Sequence, residues 1–198
     1  MGEAHGDTRS ATRDALIRVA TRLWYESGYE RVSVQEIVEA AGLTKGAFYH
    51  YFDSKEELLK LIHDDFIEQE IAAVRSAIEH GGSPSNTLVA IIVELLNSVA
   101  NYREGITVFF REMPSLSEQS FNEVKSRRDF LGKLVLSVIH EGIDAGEFRE
   151  VRDEQLVMFA IIGMCAWAHE WFEDGAPLSA REIGEMYAGL LLDGLRHS

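Results

Sequence analysis

Residues 33–52 read Ser33-Val34-Gln35-Glu36-Ile37-Val38-Glu39-Ala40-Ala41-Gly42-Leu43-Thr44-Lys45-Gly46-Ala47-Phe48-Tyr49-His50-Tyr51-Phe52. Ser33 and Glu36 have capping-box spacing, in which a hydroxyl and a carboxylate satisfy the free N–H groups that open a helix. Val34, Ile37 and Val38 make one apolar stripe, Ala41 allows close approach, Gly42 accepts a tight turn and Leu43 plugs the corner. Thr44 caps a second short helix. The spacing predicts a helix-turn-helix. The N-terminus of the second helix presents free N–H groups and a positive dipole end, which suit a phosphate.

The second helix carries five consecutive rings, Phe48 to Phe52. Phe48 and Phe52, four apart, are expected to pack on the long helix that precedes the motif. That arrangement leaves Lys45, Tyr49 and His50 facing out. Hydroxyl, ammonium and imidazole groups donate to phosphates, and Thr44, Lys45 and Tyr49 could also reach base edges. Lys55, at the start of the next helix, adds a cation. The plainer alternative makes the rings core and the polar groups a solvated face.

Outward from the motif the chain reads as helix almost throughout. The spacing predicts nine helices, at 9–27, 34–41, 45–51, 55–79, 85–101, 103–112, 118–145, 153–173 and 179–196. Pro84, Pro114 and Pro177 fall in the breaks. Ser54-x-x-Glu57 and Ser179-x-x-Glu182 repeat the capping-box spacing, and Gly28, Gly42, Gly81, Gly146 and Gly175 stand where helices should end. No stretch alternates convincingly enough for a strand. The fold class expected is all-α.

The 198 residues are 46% hydrophobic and 26% charged, enough for a real core and too apolar for a disordered chain. Net charge is −14, which by itself argues against nucleic acid. The charge is uneven. Residues 1–60 hold eight Lys/Arg against ten Asp/Glu, whereas 61–198 hold eleven against twenty-three. A near-neutral head on an acidic body can still bind DNA if its cations face one way. The apolar stretch Leu156–Ala168 is shorter than the roughly 20 residues of a bilayer span, and reads as a buried core helix. The polar first ten residues lack a signal core, and the single Cys165 allows no internal disulfide. A cytoplasmic location, with no membrane partner, follows as the expectation.

The last two predicted helices carry more apolar surface than one chain needs. Leu156, Phe159, Ala160 and Gly163 on one, with Ile183, Tyr187, Leu190 and Leu191 on the other, are expected to pair with their copies in a homodimer. Burial within one subunit is the alternative. Two reading heads about 34 Å apart would then meet a palindrome.

Residues 9–60 resemble the DNA-binding head of the TetR family of bacterial transcriptional regulators. The resemblance rests on Ala15-Leu16-Ile17-Arg18-Val19-Ala20 with Gly28-Tyr29, on residues 33–52, and on Ser54-Lys55-Glu56-Glu57-Leu58. It implies a three-helix head at 1–54 and a ligand-binding and dimerisation domain at 55–198. By the same resemblance Ser33, Thr44, Lys45, Gly46, Tyr49, His50 and Lys55 are DNA-contacting positions on a palindromic operator, with no cofactor, metal or catalytic residue. The implied function is a repressor released by a small hydrophobic effector.

Candidate walls for that effector are Tyr102, Phe109, Phe110, Met113, Phe130, Leu134, Trp167 and Trp171. The tail adds a weaker resemblance. Gly142-Ile143-x-x-Gly146-Glu147-Phe148-Arg149, Trp167-x-x-x-Trp171-Phe172 and Gly175-x-Pro177-Leu178-Ser179 look like members that regulate fatty-acid or steroid catabolism, several of which respond to CoA thioesters. Lys125, Arg127, Arg128 and Lys133, with Arg111, are cations that could meet CoA phosphates. Alternatives are a regulator of efflux or stress genes sensing varied lipophilic compounds, a purely structural helical dimer, and a metal-dependent helical enzyme. The enzyme reading has only the pairs His169/Glu173 and His140/Asp144, without a His-Glu-x-x-His pattern.

Overall fold

The computed structural model describes residues 3–173 and 175–195, with side chains from residue 11 onward. The elements are α1 (Glu3–Ser27), α2 (Val34–Ala40), α3 (Lys45–Tyr51), α4 (Lys55–Glu79), α5 (Pro84–Glu112), a 3-10 turn (Met113–Ser115), α6 (Glu118–Asp144), α7 (Glu154–Ala166), α8 (Ala168–Trp171) and α9 (Ala180–Leu195). No strand occurs among the described residues. No helix among them is long and apolar enough to cross a membrane.

The break expected between 101 and 103 is present: the run Pro84–Glu112, α5, leaves helical backbone at Tyr102 (φ −122°, ψ 21°) and kinks there. One expected boundary differs. The helix predicted at 153–173 stops at Trp167, and α8 follows as a separate short turn of helix. Beyond it the His169 carbonyl accepts from Arg103 Nε at 3.1 Å, so a side chain from α5 takes a group that a longer helix would have used. The glycines fall as expected. Gly28, Gly42, Gly81, Gly146 and Gly175 all have positive φ.

The chain forms two compact units. The first takes in the chain through Asp65 together with Glu104–Asn122, and the second Phe66–Arg103 together with Glu123 onward. Helices α4, α5 and α6 each pass from one unit to the other in mid-run.

In the first unit, Leu16, Ala20 and Trp24 form one buried face of α1. Against it pack Ile37 and Val38 of α2, Phe48 and Phe52 from α3 and its end, Leu58, Leu59 and Ile62 of α4, and Val108 of α5. Each fully buried large side chain contributes about 1.5–3 kcal/mol.

In the second unit the core is built from Leu88, Ile91, Ile92 and Leu95 of α5, Leu131, Val135 and Ile139 of α6, and Met158 and Ile161 of α7. The Gly142-to-Arg149 motif has a packing role there. A Cβ on Gly142 would lie 2.1 Å from the Phe148 ring, so glycine is what admits Phe148 to the core. Glu147 accepts the Ser85 amide at 3.0 Å, and Arg149 donates to the carbonyls that end α9, from its backbone N to Leu195 O (2.7 Å) and from Nε to Gly194 O (2.8 Å). Gly184 of α9 lies so close to α5 that a Cβ would be 2.8 Å from Val93 Cα.

Helix α7 is not buried on all sides, as the sequence had suggested. Met158, Ile161 and Cys165 face inward, while Leu156 is 64% and Phe159 61% exposed. Inward positions three and four apart leave one apolar face of α7 exposed.

Candidate nucleic-acid interface

The motif at 33–52 forms two short helices set by local hydrogen bonds. Ser33 N and Oγ donate to Glu36 Oε2 at 2.7 and 2.8 Å, and Glu36 N donates back to Ser33 Oγ, completing the capping box. Those bonds hold the Glu36 carboxyl below its ordinary range. Gly42 turns the chain at φ 68°, and Leu43 N bonds Val38 O at 2.7 Å. Thr44 Oγ1 then accepts from Ala47 N at 3.2 Å and starts α3.

Phe48 is fully buried, with the Phe52 ring 5.3 Å away, and together they anchor α3 to the head core. Tyr49, the next residue, is 54% exposed, with its ring edge-to-face against Phe48 at 5.3 Å between centroids. Thr44, Lys45, Gly46 and His50 are exposed beside it. The result is an outward surface of hydroxyl, ammonium and imidazole groups around one aromatic platform. Such groups can donate to phosphate oxygens and reach base edges. Tyr51 is half-buried, packed between His50 and Phe52.

Lys55 has a different setting from the other expected contact residues. Its Nζ donates to Tyr29 O at 2.7 Å and Val32 O at 3.0 Å, and lies 4.1 Å from the Tyr29 ring centroid. Partial burial lowers its pKa, opposed by Glu30, Glu112 and Glu36.

The chain matches the family model for bacterial regulatory proteins of the tetR type at residues 16–62, and the tetracyclin repressor-like C-terminal domain at 81–195. It belongs to the TetR family. This TetR chain is 26% identical over 191 residues to the transcriptional repressor KstR2 of Mycolicibacterium smegmatis, covering 96% of this chain and 93% of that one. The solved TetR regulator PfmR of Thermus thermophilus superposes with a TM-score of 0.85 at 30% identity, over 92% of this chain and 99% of that one. AibR, solved with isovaleryl coenzyme A and operator DNA, shares the fold at a TM-score of 0.80 and 24% identity, over 91% and 98%. As a TetR protein, the chain is a ligand-responsive, DNA-binding transcriptional regulator.

The other expected residues of this TetR chain are spread out. Among the effector walls, Phe109, Phe110 and Met113 lie in the first unit, where Phe109 is fully buried against His63. Tyr102, Phe130, Leu134, Trp167 and Trp171 lie in the second, and Phe130, Trp167 and Trp171 are exposed there. The cations proposed for CoA phosphates are largely engaged within the chain. Lys125 pairs with Asp129 at 2.6 Å, Arg127 with Glu68, and Arg111 with Glu112 and main-chain carbonyls, while Lys133 is exposed.

Of the expected dimer face, Leu156, Phe159, Ala160, Gly163 and Leu190 are exposed, and Tyr187 and Leu191 half-buried. Ile183 is the exception. At 8% exposure it faces its own core, beside the close approach of Gly184 to α5. His140 contacts Asp144 and Glu154, His169 is buried next to Glu170, and no group of three potential metal ligands occurs among the described residues.

One polar pair escaped the sequence reading. Glu70 of α4 and Arg128 of α6, both half-buried, attract each other inside the second unit, near Cys165. Burial pushes Glu70 up to about 7 and the Cys165 thiol up to about 12. No local spacing announces a group whose members come from three helices.

Proposed function

We propose that this TetR chain is a cytoplasmic, homodimeric repressor, released from a palindromic operator by a small hydrophobic effector, and not an enzyme. The head at 1–54 reads DNA through Ser33, Thr44, Lys45, Gly46, Tyr49 and His50, with Lys55 supporting them. The domain at 55–198 holds the effector and the dimer contact. The observation that carries this reading is the outward presentation of Lys45 and Tyr49, with Phe48 locked behind them.

For the effector we propose an acyl-CoA or related thioester. Support comes from relatives: the name of the solved Mycobacterium tuberculosis KstR2 is that of a ketosteroid regulator, and AibR holds isovaleryl coenzyme A. The internal pairing of Lys125, Arg127 and Arg111 favours a second reading, an uncharged lipophilic effector that needs no phosphate contacts. The effector must bind the DNA-incompetent form more tightly to cause release.

Selection of bound duplexes from a random pool tests the function, with a palindrome as the expected product. On that operator, Lys45→Ala and Tyr49→Ala each weaken binding by about 1–3 kcal/mol while the fold and oligomeric state persist. Binding equal to the parent by both variants places the contact surface elsewhere. Calorimetry with acetyl-, isovaleryl- and palmitoyl-CoA separates the two effector readings.

A further inference from the structure

We propose that Glu112 is a positioning residue for the reading head: together with Lys55 it holds the Tyr29 peptide from both sides, and so sets the half-site spacing that a pair of heads accepts. The spacing part rests on the dimer proposed above.

The observation is a two-sided grip on one residue. The Tyr29 amide donates to Glu112 Oε1 at 3.3 Å, and the Tyr29 carbonyl accepts from Lys55 Nζ at 2.7 Å. Lys55 also takes Val32 O at 3.0 Å, and the next residue is Ser33, the cap of α2. The segment that delivers the chain into the helix-turn-helix is therefore held through its main chain, whatever its side chains are.

Glu112 is itself oriented. Arg111 Nε donates to Glu112 Oε1 at 3.0 Å, while its other nitrogens donate to the Trp24 and Tyr25 carbonyls near the end of α1. A guanidinium there satisfies helix-end carbonyls and faces the negative end of the α1 dipole. Gly28, between α1 and Tyr29, has φ 86°, and a Cβ on it would approach Glu112 Oε1 at 3.9 Å. The grip thus closes over a backbone turn that suits glycine.

The two gripping residues sit on particular helices. Lys55 opens α4 and Glu112 ends α5, and both helices continue into the second unit. α5 makes that passage at Arg103–Glu104, next to its bend at Tyr102. A weak grip would let the head pivot, and a pivoting head loses discrimination between spacings before it loses affinity for a single half-site.

The test uses the full chain and three duplexes: the selected operator, that operator with one base pair inserted at its centre, and a lone half-site. In Glu112→Ala the preference for the operator over the inserted duplex falls about tenfold, the effect of losing one hydrogen bond to a charged group. Half-site affinity stays within about twofold of the parent, and Glu112→Gln, which keeps an acceptor oxygen, recovers part of the preference. An unchanged preference, or an equal loss on all three duplexes, overturns the proposal. If the parent itself shows no preference, the dimer reading fails instead. Hydrogen exchange then decides: Glu112→Ala must speed exchange at Ile37 and Val38 by about tenfold and leave α7 and α9 unchanged, and equal protection overturns the grip.

Discussion

At the scale of single residues, the chain uses the same chemical group in opposed ways. Glu36 is a surface carboxyl held ionised by Ser33, whereas burial in the second unit pushes the Glu70 carboxyl up to about 7, against the opposing pull of Arg128. The sign of the consequence is set by the direction. A folded-state pKa above the unfolded value means that the folded form holds a proton the unfolded form has released. The contribution of Glu70 to stability therefore declines as pH rises from about 4.5 to about 7. Urea melts at about pH 5 and about pH 8 should show that decline, and Glu70→Gln should flatten it. An equal slope in both proteins would place the titrating group elsewhere.

Residues also differ in how openly the sequence shows their work. Ser33, Gly42 and Thr44 act on partners within a few positions, so their roles are written in spacing alone. Arg111 and Glu112 act on residues more than eighty positions away, and nothing around them marks it. Lys55 lies between these cases. Its position beside the motif was visible, but its contact with the Tyr29 and Val32 carbonyls needed the folded turn.

At the scale of elements, glycine sets where helices touch. Gly184 lets α9 lie against the backbone of α5 at Val93, where a methyl group would have to displace main chain. Gly184→Ala is expected to destabilise the chain by about 1–3 kcal/mol through overpacking, whereas Gly189→Ala, at an exposed site inside α9 with open space, is expected to stabilise it by about 0.5–1 kcal/mol. Thermal melts of the two variants compare them directly. Equal melts would mean that α9 can move away from α5 at little cost. The same scale explains one misread boundary. Hydrophobic spacing continues through Trp167, so periodicity cannot distinguish one helix from a broken one.

At the scale of the whole molecule, α7 and α9 each turn large apolar side chains to solvent. Leu156, Phe159 and Leu190 are each more than 60% exposed. Facing such side chains to water is ordinary singly but costly as a continuous patch. Replacing Phe159 and Leu190 together by Glu should yield a folded monomer in light scattering, with operator affinity reduced to that of a half-site. A variant that remains dimeric would move the contact to another surface.

Val108, buried in the core of the first unit, comes from far along the chain. A fragment ending after the third or fourth helix would lack that plug as well as Arg111 and Glu112. The reader of DNA in this protein is therefore no detachable cassette. Chimeras that graft its first sixty-odd residues onto a foreign sensor would inherit a hole where Val108 belongs.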